Sequence, residues 1–256
     1  EFLRPARSRS NTTVTSSQEA YLVTNKIMLV EDDEALRSQL ERWLTESGYQ
    51  VVAVGDGNLV MDTFRAENPN VVLMDIQLPG RNGIELVRDI REFAGTPIIM
   101  VTARSEAEVM DEAFEAGADD YFEKSPWEPE KLLARVKNSL RVQQRASVET
   151  ATEEAGGVLK IGSVSVDILG HEVRKNGEKI ALTPYEFKLL TTLAEKPKLV
   201  FSREQLLKDV WNHSYQGDTR LVNVHIQRLR SKIEDDPDNP TVVVTVRGIG
   251  YKAGLN

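Results

Sequence analysis

The chain has no cysteine among its 256 residues. Disulfide bonds and thiolate metal sites are therefore excluded, and the composition fits a protein of the reducing cytoplasm, which is the location we expect. No apolar run approaches the roughly 20 residues that a membrane-spanning helix needs, so we expect a soluble protein without a membrane partner. Histidine is also scarce, with 3 residues and no pair at ligand spacing, which argues against a histidine metal site.

The length of the chain predicts two domains of ordinary size. Residues 143–157 carry few apolar side chains and end in two glycines, so we interpret them as a linker between domains at 26–142 and 158–256. Residues 1–25 are rich in Ser, Thr and Arg and lack periodicity, which indicates a disordered leader or an expression remnant. A transit peptide and a short basic tail that touches DNA are the alternatives.

Charge differs between the two halves of the chain. Residues 1–157 contain 17 Lys and Arg against 28 Asp and Glu, whereas residues 158–256 contain 15 against 12. The net charges are therefore −11 and +3. An acidic half and a mildly basic half predict separate partners for the two domains.

Short apolar runs alternate with amphipathic segments in the first half. The runs KIMLV, VVAV, VVLM and IIMVT are separated by residues at helical spacing, such as Leu36, Leu40 and Leu44. This alternation is typical of repeated βαβ units, whose right-handed crossovers give a five-stranded parallel sheet between helices. We therefore predict an α/β domain of the flavodoxin-like, doubly wound type.

Three carboxylates follow two of these strands. Asp75 comes directly after VVLM, and Glu31 and Asp32 come directly after KIMLV. Ligands of parallel sheets bind beyond the carboxyl ends of the strands, so the three acids converge if the strands are neighbours. Like charges that close need a cation, and oxygen ligands with room for water favour Mg²⁺. The alternative is that Asp32 or Asp33 only caps the following helix.

Two further strand ends supply a hydroxyl group and a cation. Thr102 ends the run PIIMVT, and Lys124 ends the segment GADDYFEK. A phosphoryl group on Asp75 would require this set, because a metal and Lys124 neutralise its oxygens and Thr102 donates a hydrogen bond. The sequence therefore predicts Asp75 as an in-line nucleophile for phosphoryl transfer.

These motifs, in this order and spacing, resemble the receiver domain of bacterial two-component response regulators over residues 26–142. The resemblance implies that Asp75 accepts phosphate from a sensor histidine kinase. It implies that Thr102 and Tyr121 form the switch pair that moves when the phosphoryl group arrives. The implied Mg²⁺ ligands are Glu31, Asp32, Asp75 and the backbone carbonyl of Gln77.

The loop after Lys124 departs from the family pattern. The family places proline directly after the lysine, whereas the order here is Lys124-Ser125-Pro126. A cis bond before a non-proline residue costs about 3 to 4 kcal/mol, so we do not expect the Lys124-Ser125 bond to be cis. Either Lys124 is displaced from the site, or the Ser125-Pro126 bond is cis and the loop bulges by one residue.

The resemblance also implies a surface for a homodimer of the phosphorylated protein. Family members with DNA-binding tails pair through charged residues on the last two receiver helices and the strand that carries Tyr121. The matching positions here are Glu115, Asp119, Asp120, Arg135 and Lys137. Met110 and Lys131 replace the usual Arg and Glu, so one symmetric pair is missing, but exposed pairs contribute only about 0 to 1 kcal/mol each.

The second half begins with short alternating segments and then changes to helical spacing. LKIGSVSVD and HEVRKNGEKI predict an antiparallel sheet with an Asn-Gly turn. Thr183 with Glu186 predicts a capping box at one helix, and Ser202 starts the next. A third helix begins near residue 218 and precedes a hairpin, TVVVTVRGIGYKA. Helix-turn-helix followed by a hairpin predicts an α+β winged helix-turn-helix domain.

The third helix has the composition of a DNA-reading helix. Arg, Asn and Gln side chains occupy the surface that remains beside the apolar positions Val224, Ile226 and Leu229. A helix about 10 to 12 Å in diameter fits the major groove, which is about 12 Å wide. A solvated basic face is the alternative, and the following wing, which suits the minor groove or phosphates, favours DNA.

LTPYEFKLL, LVNVHIQRLRSKIE and VRGIGYKA resemble the DNA-binding domain of the OmpR/PhoB family, in particular its actinobacterial members, over about residues 158–254. The helix pattern adds Asn223 as a DNA contact, and a packed helix residue is the alternative for His225. The loop at 211–218 matches the segment that family members use to contact RNA polymerase. The DNA-binding positions implied by the resemblance are Arg220, His225, Gln227, Arg228, Arg230, Thr245, Arg247 and Tyr251.

We therefore expect a transcription factor rather than an enzyme, with phosphoryl transfer to Asp75 as its only chemistry. Phosphorylation would favour a dimer that presents two winged helices to direct repeats in promoter DNA. One alternative is an atypical regulator that binds DNA without phosphorylation because of the altered Lys124 loop. A magnesium-dependent phosphatase is the alternative from another class, and the basic winged helix argues against it.

Overall fold

The structure of the protein is a computed structural model that describes residues 25–103, 107–148, 158–212 and 218–254. Three expectations fall on other residues and lie outside these ranges. They concern the leader, most of the linker and the centre of the loop that was matched to an RNA polymerase contact. Within the described residues, every helix is too short or too polar to cross a bilayer.

A five-stranded parallel sheet with the strand order β2-β1-β3-β4-β5 forms the centre of the first domain. A helix follows each strand, so the predicted flavodoxin-like fold is confirmed. The strands are Lys26–Val30 (β1), Gln50–Val54 (β2), Val71–Met74 (β3), Ile98–Thr102 (β4) and Asp120–Glu123 (β5). The helices are Glu34–Glu46 (α1), Gly57–Glu67 (α2), Gly83–Phe93 (α3), Ala107–Ala116 (α4) and Pro129–Val148 (α5).

Alternate residues of the strands face opposite helical layers. Along β1, Ile27 and Leu29 belong to a buried cluster with α1 and α5, whereas Met28 and Val30 belong to a cluster with α2, α3 and α4. The apolar runs in the sequence are unbroken because both faces of these strands are buried. Since β1 and β3 are hydrogen-bonded neighbours, their carboxyl ends lie side by side.

Helix α5 ends at Val148, beyond the predicted domain boundary at residue 142. Residues 143–148 read QQRASV and contain neither glycine nor proline to end the helix. The first part of the predicted linker is therefore helical, and residues 149–157 lie outside the described ranges.

The second domain has an antiparallel sheet of four strands, three helices and a further three-stranded sheet in the order β10-β12-β11. The predicted winged helix-turn-helix is confirmed, because α8 follows α7 and precedes the β11-β12 hairpin. The first sheet contains Val158–Ile161 (β6), Val164–Asp167 (β7), Glu172–Lys175 (β8) and Glu178–Ile180 (β9). The remaining elements are Pro184–Glu195 (α6), Phe201–Ser202 (β10), Arg203–Trp211 (α7), Arg220–Ile233 (α8), Val243–Val246 (β11) and Gly250–Ala253 (β12).

Side-chain caps fix where the helices of this domain begin. Thr183 and Glu186 form the predicted capping box: the Thr183 amide donates to the Glu186 carboxylate at 2.8 Å, and the Glu186 amide donates to the Thr183 hydroxyl at 3.4 Å. Ser202 and Gln205 form a second box at the start of α7. Each box satisfies backbone groups that a helix terminus leaves without a partner.

The wing is attached to the end of α8 by one carboxylate. Glu234 accepts hydrogen bonds from the backbone amides of Thr241, Val242 and Val243 at 2.9, 3.0 and 2.8 Å. Only 5% of its surface is exposed, so these are buried, charge-assisted bonds. Glu234 therefore anchors the start of β11 to the end of α8, and no sequence pattern indicated this role.

Candidate functional site

Three acids meet at the carboxyl ends of β1 and β3. Ligand oxygens of Glu31, Asp32 and Asp75 all lie within 4.8 Å of one another. Glu31 and Asp75 are buried, whereas Asp32 is exposed. Asp33 caps α1 by accepting a hydrogen bond from the Leu36 amide, so capping uses the acid that lies outside the cluster.

Lys124 reaches into this cluster from the end of β5. Its Nζ lies 2.6 Å from Asp75 Oδ2 and 2.7 Å from Glu31 Oε2. The backbone amide of Lys124 donates to the Thr102 carbonyl at 2.9 Å, which continues the β4-β5 pairing by one residue. The Ser125-Pro126 bond is cis. Of the two arrangements that the sequence left open, the structure has the bulged loop, with the lysine in the site.

The pKa values in the site reflect burial and mutual charge. Burial raises the pKa of Glu31; the hydrogen bond and charge of Lys124 oppose this, and the charge of Asp75 adds to it. Burial by itself would lower the pKa of Lys124, but its hydrogen bonds to Asp75 and Glu31, together with their charges, raise the pKa above its ordinary value. Lys124 is therefore protonated at neutral pH and supplies one positive charge to a cluster of three carboxylates.

This donor set fits a hard divalent cation. Three carboxylates and one lysine leave excess negative charge, and all of the ligand atoms are oxygens, which is the preference of Mg²⁺. Exposure of Asp32 on one side leaves room for the water ligands that Mg²⁺ usually keeps. Gln77 lies two residues beyond Asp75 and is exposed.

The two predicted switch residues lie on the neighbouring strands β4 and β5. Thr102 is the last residue of β4 and is 1% exposed. Tyr121 lies in β5, is 5% exposed, and its ring contacts Phe114 edge to face at 6.3 Å between centroids. Both side chains therefore lie in the interior of the first domain.

The predicted DNA-binding residues divide into two groups. Asn223 and Gln227 on α8, with Thr245 and Arg247 on the wing, are exposed. The others are partly or fully covered, Arg220, His225 and Arg228 by the first domain and Arg230 and Tyr251 by contacts within the winged-helix domain. These covered residues are Arg220, His225, Arg228, Arg230 and Tyr251.

Two arginine side chains of α8 make polar contacts with the receiver. Arg220 lies 3.5 Å from the Asp111 carboxylate of α4, and Arg228 donates to the Ala118 carbonyl at 3.1 Å. Burial lowers the pKa of Arg228 to about 10, and the charge of Asp119 acts in the opposite direction. The face of α8 that carries these residues is therefore not available to a DNA groove in this conformation.

Two aromatic side chains form the centre of the domain contact. Tyr185 and Trp211 stack with 5.3 Å between ring centroids, and both are at most 1% exposed. Trp211 Nε1 donates to the Asp119 carbonyl at 3.1 Å. The Tyr185 hydroxyl accepts from Asn138 at 3.1 Å and lies 3.0 Å from the Ser139 hydroxyl on α5. Sequence patterns did not indicate these roles, because an apolar residue at a domain contact has the same spacing as one in a core.

The positions predicted to form a dimer surface lie in or near this contact. Asp119 pairs with Arg91 of its own chain, and Asp120 pairs with Arg135 at 2.6 Å. Glu115 and Lys137 are exposed. Met110, which replaces the usual arginine, has its sulfur 3.7 Å from the Arg220 guanidinium. The surface formed by α4, β5 and α5 is thus occupied by the winged-helix domain in this conformation.

His225 is a buried titratable side chain on α8. Burial lowers its pKa well below 6.5, and the charges of Arg228 and Arg91 lower it further. Lys232 acts in the same direction, and the Asp119 backbone acts in the opposite one. When the domains separate, the receiver side of His225 is uncovered and its pKa moves toward its ordinary value of about 6.5.

We therefore expect acid to favour separation of the domains. Above pH about 6.5 the imidazole is neutral in both forms, and the contact has its full stability. We call the molecule with its domains in contact the closed form. Below that pH His225 takes up a proton in the separated form but not in the closed form, so the ratio of closed to separated molecules falls up to about tenfold per pH unit. Small-angle scattering from pH 7.5 to 5.5 measures this, and His225→Phe should remove the additional dependence. Equal pH dependence in both proteins would contradict it.

Comparison with known proteins agrees with this geometry. Residues 27–137 match the family described as "Response regulator receiver domain", and residues 177–253 match "Transcriptional regulatory protein, C terminal". "DNA-binding response regulator MtrA" of Mycobacterium tuberculosis is 45% identical over 229 residues, which cover 90% of this chain and 96% of that protein. "Transcriptional regulatory protein AfsQ1" of Streptomyces coelicolor is 41% identical over 226 residues, covering 88% and 96%.

A solved structure is similar across both domains. A mutant of RitR has a TM-score of 0.70 and 26% identity, and the alignment covers 91% of this chain and 100% of that one. A receiver with an acid cluster joined to a winged helix defines a DNA-binding response regulator of a two-component system. The chain belongs to the OmpR/PhoB family of these regulators, with MtrA and AfsQ1 among its relatives.

Proposed function

We propose that Asp75 is the residue on which a sensor histidine kinase places a phosphoryl group. The observation that carries the proposal is the position of Lys124, whose Nζ lies within 2.7 Å of both Asp75 and Glu31. In the transfer, an Asp75 carboxylate oxygen forms a bond to phosphorus as the bond to the donor nitrogen breaks. Lys124 then neutralises charge on the phosphoryl oxygens.

The other residues of the site have supporting roles in this proposal. Glu31, Asp32, Asp75 and the carbonyl of Gln77 would hold Mg²⁺, which supplies charge neutralisation for the transferred group. The Thr102 hydroxyl would donate a hydrogen bond to a phosphoryl oxygen. Tyr121, which is buried on β5 against Phe114 of α4, would change its packing as Thr102 moves.

Phosphorylation would then replace the contact of the α4-β5-α5 surface with α8 of the same chain by a contact with a second copy of the chain. In the closed chain this surface covers part of α8, and the same surface includes the residues that we expect to form a homodimer. The two uses exclude each other, so a phosphoryl group that favours the dimer also favours the release of α8. Two released winged helices would bind direct repeats in promoter DNA, in the cytoplasm, and the loop at 211–218 would contact RNA polymerase.

The alternative, DNA binding that is independent of phosphorylation, is not favoured. It depended on displacement of Lys124 by the residue inserted at Ser125. Lys124 Nζ lies within hydrogen-bonding distance of Asp75, which supports the proposal that the lysine acts in phosphoryl transfer despite the inserted residue.

The test is a measurement on the full chain with Mg²⁺ and acetyl phosphate as a small phosphodonor. We expect intact mass spectrometry to detect one added phosphoryl group, and size-exclusion chromatography of the same sample to detect a shift to dimer. Binding to fluorescent duplexes should become tighter in the phosphorylated sample. No added phosphoryl group, with DNA binding unchanged, would contradict the proposal.

A further inference from the structure

One amide oxygen on the exposed face of α8 joins three elements of the winged-helix domain. Asn223 Oδ1 accepts a hydrogen bond from Arg203 Nε, at the start of α7, with a distance of 2.8 Å. The same oxygen accepts from the Tyr251 hydroxyl, on the β12 strand of the wing, also at 2.8 Å. The recognition helix is therefore tied to both α7 and the wing through a single side chain.

The orientation of this amide follows from the chemistry of its partners. An arginine Nε–H group only donates, so the atom of Asn223 that faces Arg203 must be the oxygen and not the nitrogen. A carboxamide oxygen has two lone pairs, and the two donors occupy both. The Asn223 side chain therefore has only the N–H donors of Nδ2 left for any other partner.

Two arginine guanidinium groups lie over the ring of Tyr251. The guanidinium carbons of Arg203 and Arg230 lie 5.1 and 5.6 Å from the ring centroid. Arg230 also donates to the Val243 carbonyl and to the Thr245 hydroxyl, both at 2.7 Å. Tyr251 is 5% exposed, so its hydroxyl is directed to Asn223 within the domain instead of being presented on the surface.

We propose that Asn223, Arg203 and Tyr251 form a clamp that fixes the wing against the recognition helix, and that Asn223 does not read a base. Asparagine identifies adenine by donating to N7 and accepting from N6. The acceptor is already occupied here, so the bidentate contact requires the clamp to break. Asn223 and Tyr251 are thus positioning residues, and Arg203 joins them although no sequence pattern indicated it.

The proposal deepens the proposed function, on which its DNA-binding part rests. A clamp and a base reader predict different results when Asn223 is removed. Loss of a clamp changes the angle between the wing and α8, so all DNA sequences lose affinity by the same factor. Loss of a reader relaxes the preference at one base pair by about 5- to 150-fold, since a bidentate pair discriminates by 1 to 3 kcal/mol.

The first experiment does not require DNA. Hydrogen exchange of the backbone amides from Val243 to Ala253 is measured by mass spectrometry in the full chain. We expect Tyr251→Phe to accelerate exchange in the wing about five- to tenfold, the factor for loss of one hydrogen bond, and Asn223→Ala, which removes two hydrogen bonds, to accelerate it at least as much. Gln227→Ala removes an amide one helical turn further along the same exposed face, and wing exchange should stay as in wild type. Unchanged exchange in the first two variants would overturn the clamp.

The second experiment separates the clamp from base reading. Duplexes are selected from a random library with phosphorylated wild-type protein, and affinities are then measured for Asn223→Ala, Tyr251→Phe and the double variant. We expect each variant to lose affinity by a similar factor for every selected duplex and to keep the base preferences of wild type. The double variant should bind no more weakly than the weaker-binding single variant. A lost preference for adenine at one position in Asn223→Ala, absent from Tyr251→Phe, would overturn the proposal. Failure of wild type to bind any duplex would contradict the proposed function but leave the exchange result intact.

Discussion

An Asp75→Asn variant should gain no phosphoryl group from acetyl phosphate and Mg²⁺ under conditions in which wild type is fully modified. The substitution preserves the shape of the side chain but replaces the nucleophilic oxygen anion with an amide. It also removes the ion pair with Lys124 Nζ, which is 2.6 Å long. The loss should be complete, because a carboxamide forms no stable acyl phosphate.

The matched control for this variant is Asp56→Asn. Asp56 lies just beyond β2, at the same edge of the sheet, and caps α2 by accepting a hydrogen bond from the Asn58 amide. Asparagine is an equally good cap, so the fold should be kept, and the control removes one negative charge, as Asp75→Asn does. We expect the control to gain one phosphoryl group, as wild type does. A phosphoryl group found on the Asp75→Asn variant would show that another residue is the acceptor.

An Asn138→Lys variant should separate the domains without phosphorylation. Asn138 is 3% exposed and donates to the Tyr185 hydroxyl across the domain contact. Leu132, Val136 and Leu140 direct the opposite side of α5 to the sheet, so the winged-helix domain is what buries Asn138. A lysine there would place an unpaired cation in the contact in the closed form and would be solvated in the separated form.

The expected effect is large because burial of an unpaired charge is costly. A penalty of about 3 kcal/mol changes the ratio of closed to separated molecules by roughly 100-fold. The radius of gyration from small-angle scattering should increase. The affinity of the unphosphorylated chain for duplex DNA should rise in proportion to the fraction released.

Gln144→Lys is the matched control for the effect of added charge. Gln144 is exposed on the same helix, so this variant adds an identical cation outside the contact. Its scattering profile should equal that of wild type. Asn138→Lys should still gain a phosphoryl group, which verifies that its receiver is folded. If Asn138→Lys remains as compact as Gln144→Lys, the contact through Tyr185 does not hold the domains together.

Local patterns in the sequence predicted most of the fold. The parallel sheet could be predicted from apolar runs such as VVLM, because its strands are buried on both faces and their sequences are therefore apolar throughout. The alternating order of strands and helices fixes the crossovers. Thr183 and Ser202 define helix starts because their capping partners lie three residues away in the chain. Information of this kind is local, and a single sequence therefore carries it.

The acid cluster could also be predicted from the sequence. Neighbouring parallel strands align their carboxyl ends, so residues that follow β1 and β3 are close whatever the details of side-chain packing. The position of Lys124 could not be predicted from the sequence. The two arrangements of its loop use the same residues, and only the packing of the chain around Ser125-Pro126 distinguishes them.

By itself, the sequence determined the two folds, their order and the chemical types of their site residues, because these depend on periodicity and on residues close together in the chain. The tertiary structure decided which of those residues are accessible. Long-range contacts pair Asp119 with Arg91 of its own chain and occupy the Asn223 oxygen with Arg203 and Tyr251. They also bury His225 and partly cover Arg228. Such contacts depend on the positions of whole elements, and no local pattern of apolar or charged residues encodes them.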